Sequence, residues 1–122
     1  MAVRDHIKLG KLGEEVAVQH LKSKGYLILD RNWRLGHQEI DIIALDGNFI
    51  VIVEVKTRNS EHFPEPAACV NRNKQRIQVR TANAWTRYHN HPGEVRFDVI
   101  FVLVKAGNVE VNHIMDAFYA TL

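Results

Sequence analysis

Two apolar stretches joined by a turn signal carry three ionisable residues that a dry sheet interior does not accept without compensation. Asp41 stands within Ile40-Asp41-Ile42-Ile43, and Glu54 and Lys56 stand within Ile50-Val51-Ile52-Val53-Glu54-Val55-Lys56. Between the stretches lies Asp46-Gly47-Asn48, a strong hairpin signal. Strands this apolar belong inside a sheet, covered on both faces. Burying a carboxylate there costs several kcal/mol unless it is paired or bound to a metal.

Spacing supplies a purpose for the three charges. Glu54 and Lys56 are two residues apart and share one face of a regular strand, about 6.7 Å along it. A two-residue loop Asp46-Gly47 makes Glu54 the diagonal neighbour of Asp41, and a loop Gly47-Asn48 sets the two directly opposite. Either even-length loop brings the three groups to one face, whereas an odd loop without a bulge sends Asp41 to the other. Two carboxylates at this range repel, and a hard divalent cation with oxygen ligands relieves the repulsion. Lys56 beside such a cation is placed to orient or deprotonate a water attacking a phosphate. The competing reading is a purely structural Glu54–Lys56 ion pair.

The rest of the chain reads as one domain over residues 1–122. Leu9, Leu12, Val16, Ala17 and Leu21 fall on one face of a helix over residues 8–24, stopped at Gly25. Residues 26–29 read as a first strand that gives way to a polar run over 30–34. Residues 39–45 and 49–56 are the two apolar strands. A polar loop with Pro64 and Pro66 leads to a helix over 67–88 that is expected to bury Val70, Ile77, Ala84 and Trp85. Residues 95–104 read as a buried strand, and Ala106-Gly107-Asn108 turns it into another over 109–114, with a short helical tail after it. The order αβββαββ predicts an α/β fold, a mixed sheet with helices packed on it.

Composition excludes several classes. With 46% hydrophobic and 25% charged residues, the chain is globular in character, and runs such as 99–104 are too short to span a bilayer. Its start, Met-Ala-Val-Arg-Asp-His, lacks an apolar signal core, so export is not expected, and the single cysteine, Cys69, fits a reducing cytoplasm. The net charge of +2 permits nucleic-acid binding without demanding it. Seven histidines offer no ligand spacing for zinc.

Asp41 followed by Glu54-Val55-Lys56 on a hairpin resembles the Asp…Glu-x-Lys signature of the PD-(D/E)xK nuclease superfamily. More narrowly, the chain resembles the YraN-like family of small bacterial proteins, themselves similar to archaeal Holliday-junction resolvases. The stretches carrying this resemblance are Gly10-Lys11-Leu12-Gly13-Glu14-Glu15-Val16-Ala17, Asn32-Trp33-Arg34, Glu39-Ile40-Asp41-Ile42-Ile43-Ala44, Val53-Glu54-Val55-Lys56-Thr57-Arg58, Lys74-Gln75-Arg76-Ile77 and Arg96-Phe97-Asp98-Val99. The resemblance implies a restriction-endonuclease-like core, with Asp41 and Glu54 as magnesium ligands, manganese as a substitute, and Lys56 as the catalytic lysine. It makes Glu14, on the first helix, an upstream acidic ligand. It also implies hydrolysis of DNA, branched or otherwise structured, and a homodimer. Two departures concern loop geometry: Gln38 stands where the family usually has glycine, and Phe63-Pro64-Glu65-Pro66 lacks the glycine often found there.

Other residues admit two readings. Arg72, Arg76 and Arg80 recur every four residues on the second helix and, with Arg58 and Lys74, offer a phosphate-neutralising stripe or a merely solvated face. Trp33, in a polar run, is a candidate for stacking on bases, whereas Trp85 belongs to the core. Glu39 shares a strand face with Asp41 and is either a supporting acid or an exposed strand end. Asp98 suggests a structural ion pair. Against the nuclease stand a non-catalytic nucleic-acid-binding module of the same fold and, more remotely, a protein-interaction domain.

Overall fold

The computed structural model describes residues 3–59 and 71–118, with side chains from residue 7 onward. The elements run α1 (Val3–Ser23), β1 (Leu27–Leu35), β2 (Gln38–Asp46), β3 (Phe49–Arg58), α2 (Arg72–Tyr88), β4 (Glu94–Lys105) and β5 (Asn108–Phe118). This is the expected αβββαββ order. The five strands form one sheet in the order β1-β2-β3-β4-β5, and only β3–β4, linked by the crossover that contains α2, is parallel.

Each helix covers one face. Ala17, Val18 and Leu21 of α1 pack on Ile42, Ala44, Val51, Val53, Ile100 and Val102. Val79, Ala82 and Trp85 of α2 pack on Ile40, Ile43, Ile50, Ile52, Phe97, Val99 and Phe101. Sandwiching explains why β3 and β4 are apolar on both sides, since neither face meets water. At Gly13 α1 meets the sheet so closely that a Cβ would stand 2.8 Å from both Cβ and Cγ2 of Thr57. Because one of those atoms is Thr57's own Cβ, no rotamer change clears the space, and the closeness requires glycine.

Several sequence expectations are corrected. The first strand does not stop at residue 29, because the polar run 30–34 is the second half of β1, a sheet edge where one side of the ladder is open and charged side chains are favoured. No helical tail follows residue 114, because β5 continues to Phe118. On α2 the buried set is Gln78, Val79, Thr81, Ala82 and Trp85, with Ile77 and Ala84 only half-buried. The predicted start of that helix, with Val70, Cys69, Pro64 and Pro66, lies outside the described residues. Among the described residues no helix is long and apolar enough to cross a membrane.

Asp98 forms the ion pair that its sequence context suggested, within a larger network. Arg96 Nε and Nη2 donate to the two Asp98 carboxylate oxygens at 3.0 Å each, a bidentate pair. The same guanidinium donates to Asp46 at 2.9 Å and to the Tyr26 hydroxyl at 2.7 Å. His113 Nε2 reaches Asp98 at 2.7 Å, and the Asp116 N–H donates to it at 3.0 Å. Burial pushes the Asp98 pKa up, but hydrogen bonds from His113, Arg96 and the Asp116 amide outweigh it and hold the carboxyl below its ordinary value.

Removing one partner of a buried pair strands the other, so Asp98→Ala should lose about 3–5 kcal/mol of stability in urea unfolding at neutral pH. The depressed folded pKa makes this contribution complete above the ordinary carboxyl range and lost as pH falls through the folded value. The wild-type advantage should therefore narrow only in strong acid.

Candidate metal centre at the end of the β2–β3 hairpin

The hairpin register pairs Asp46 with Phe49, which makes Gly47-Asn48 the two-residue loop. Under strict alternation this register would set Asp41 opposite Glu54 on one face. Alternation fails at Asp41. Ile43 and Ile40 both pack toward α2, while Ile42 packs toward α1, so two successive residues, Asp41 and Ile42, turn toward α1. On the neighbouring strand, Asn32 holds the left-handed conformation at φ 51°, and Arg31 and Asn32 both direct side chains to α1 before Trp33 returns to the α2 face. Asparagine tolerates this region better than other non-glycine residues. Paired β2–β3 residues end at Ile42 and Val53, and beyond them the Asp41 carboxylate accepts the Val55 N–H at 2.9 Å.

Turned this way, Asp41 meets α1. Carboxylate oxygens of Glu14, Glu39 and Asp41 lie within 4.8 Å of one another. In the orientation that satisfies its neighbours, the Asn32 amide nitrogen donates to Glu14 at 2.8 Å and to Glu39 at 2.9 Å. Arg34 holds the other Glu39 oxygen at 2.7 Å. The three acids line a cleft of about 390 Å³ between α1 and the sheet, with Lys11 and Arg58 at its walls. Burial, followed by the charges of Glu54, Glu14 and Glu39, raises the Asp41 pKa to about 7 against the opposing Val55 hydrogen bond. Glu14 is also raised, by burial first and then by Glu39.

Glu54 and Lys56 keep the alternation of Ile50 and Ile52 and face α2. Their side chains form an ion pair, Nζ to Oε1, at 2.8 Å. Glu54 lines a second, smaller cleft of about 180 Å³ with Lys74 and Gln78 of α2, and Glu39 lines both clefts. The expectation of one shared face is thereby corrected: Asp41 belongs with Glu14, and the Glu54–Lys56 pair lies across the strand end from them. Proximity survives this separation, since the Glu54 charge still acts on Asp41.

The remaining candidates divide. Trp33 is half-buried and packs against the α2-side core, so its ring has less freedom to stack on a base than its polar context suggested. Arg72, Lys74, Arg76, Arg80 and Arg87 are exposed along α2, and none forms an ion pair among the described residues. Arg58, at the end of β3, donates to the Thr57 carbonyl at 2.8 Å. In the sequence Asn32 belongs only to a matching stretch, and an asparagine among charges next to a tryptophan is too common a signal to stand out.

A raised folded pKa means that protonated Asp41 favours the fold. This stability is full below the ordinary carboxyl range and is lost as pH rises through about 7. Asp41→Asn imitates the protonated state and preserves the acceptor for Val55. In chelator-treated buffer the variant should unfold at higher urea than wild type near pH 8, with the advantage vanishing toward pH 4; a wild type equally stable at pH 8 would refute the desolvation account.

Comparison with known proteins adds a family. A family model described as "Uncharacterised protein family UPF0102" matches residues 13–102, which include all the acids of the two clefts and Lys56. A UPF0102 protein of Bacteroides thetaiotaomicron is 46% identical over 118 residues, covering 97% of this chain and 98% of the relative. One from Flavobacterium johnsoniae is 39% identical over 119 residues, covering 94% and 97%, and one from Frankia alni is 46% identical over 121, covering 97% and 100%.

Proposed function

The chain belongs to the uncharacterised protein family UPF0102, the YraN-like family its sequence resembles, and we propose that it is a metal-dependent nuclease acting on DNA. One observation carries the reading: three carboxylates converge within 4.8 Å, and a Glu–Lys pair lies near enough for the Glu54 charge to act on Asp41. The donor set is all oxygen, which suits a hard cation such as magnesium, with manganese as a substitute. Glu14, Glu39 and Asp41 would hold it, with Glu54 close enough to add its charge. When bound, such an ion supplies Lewis acidity toward a phosphoryl oxygen.

The chain's own groups supply the rest. Val55 N–H and Asn32 fix the orientation of the Asp41, Glu14 and Glu39 carboxylates before any substrate arrives, which limits reorganisation. Lys56 is the one ammonium group of the signature, and Glu54 holds it at 2.8 Å, where it can orient a water. The exposed cations of α2 give a DNA backbone a surface to follow toward the clefts. A structured or branched duplex is the substrate class we favour.

A second reading, a DNA-binding module that cleaves nothing, has its own support. Lys56 is committed to Glu54, and the acid cluster lies in the neighbouring cleft. Cleavage assays with manganese over duplex, flap, single-stranded and four-way-junction DNA separate the two. Under the nuclease reading, Lys56→Ala lowers cleavage by about 10²–10⁴-fold while circular dichroism is unchanged. Cleavage equal in wild type and variant, or binding without cleavage on every substrate, overturns it.

A further inference from the structure

The smaller cleft, between β3 and α2, holds a polar side chain that the fold itself does not use. Gln78 is 8% exposed, on the inward face of α2, and makes no hydrogen bond to any described residue. Its buried neighbour Thr81 is satisfied, its hydroxyl donating to the Ile77 carbonyl at 2.8 Å. No fully enclosed side-chain nitrogen or oxygen among the described residues lacks a partner, so the Gln78 amide keeps its remaining contact with water through the cleft. Its hydrogen-bonding capacity is met by water alone and stays open to a group that enters the cleft.

Charge defines what can enter. The acidic wall of the cleft is Glu39 and Glu54, and each is already matched, Glu39 by Arg34 at 2.7 Å and Glu54 by Lys56 at 2.8 Å. Lys74 lines the same cleft and has no ion-pair partner among the described residues. Lys74 is the cation of the described lining, its ammonium spent on no carboxylate, and it stands beside a neutral double donor. A singly charged oxyanion with several acceptor oxygens answers both, and a phosphodiester is such a group.

We propose that this cleft is a second phosphate subsite, in which Lys74 and the Gln78 carboxamide hold the phosphodiester adjacent to the one that is cleaved. The inference rests on the nuclease reading for its DNA, but the subsite is testable without it. Lys74 supplies attraction that salt screens, and Gln78 supplies direction that salt does not.

Two measurements distinguish failure of the subsite from failure of the nuclease reading. In the first, dimethyl phosphate, a minimal phosphodiester, is titrated into the full-length protein while the side-chain amide resonances of Gln78, assigned by their loss in Gln78→Met, are followed by NMR. Saturable movement of those resonances, abolished by Lys74→Ala, supports the subsite; unmoved resonances overturn it, even if DNA is cleaved. In the second, DNA affinity and cleavage are compared across variants whose circular dichroism matches wild type. Gln78→Met should raise KM about 5–10-fold with kcat unchanged and leave the salt slope of binding alone, Gln78→Glu should raise it further, and Lys74→Ala should reduce that slope by about 1. Wild-type KM in both Gln78 variants overturns the subsite. Amide movement on dimethyl phosphate with no cleavage of any DNA keeps the subsite and removes the nuclease.

Discussion

The hydrogen bond from the Val55 N–H to the Asp41 carboxylate marks the point where sheet gives way to site. Up to Ile42 and Val53 the strands satisfy one another's backbone, and immediately beyond them a side chain takes over the donor. That exchange fixes Asp41 toward α1 and anchors it there against the repulsion of three other acids. It also leaves β3 free to continue, carrying Glu54 and Lys56 on the opposite face. A regular ladder would have put all the charges on one side. The interrupted one distributes them on two sides of a single strand end, with Glu39 reaching both clefts.

Much of the fold was legible because its strongest signals are short-range. Asp46-Gly47-Asn48 between two apolar runs gives a hairpin, and the even loop was among the alternatives that the residues allowed. Gly25, with φ 89°, closes the first helix where its lack of a side chain predicted. What escaped was context. The edge strand β1 hides under Asp30, Arg31, Asn32 and Arg34 because its pairing comes from β2, not from its own hydrophobicity. The break at Asp41 depends on a left-handed Asn32 across the ladder, and no local pattern around Asp41 announces it.

Charges in apolar strands have two outcomes in this molecule. On β4, Arg96 and Asp98 are closed into a bidentate pair with every oxygen answered, and the Asp98 side chain has no exposure. On β2 and β3, Asp41, Glu54 and Lys56 stay half-buried, and the two carboxylates open onto clefts. The sequence separates the two cases only in part: Arg96, two residues before Asp98, marks a structural pair there, but Glu54 with Lys56 shows the same spacing. The difference is supplied by partners that arrive from elsewhere in the chain: Tyr26 and His113 for Asp98, Glu14 and Asn32 for the neighbourhood of Asp41.

Glu14, Glu39 and Asp41 come from a helix and from a strand more than twenty positions later, and they meet only because Gly13 lets α1 settle directly onto Thr57. An unfolded chain offers no such gathering of oxygens. A positive ion held there would be held by the native form alone, and its binding free energy would add to that of folding, growing with the logarithm of its concentration. On the metal reading, the acids whose burial opposes folding would let the ionic surroundings set, through mass action, how firmly the whole molecule is closed.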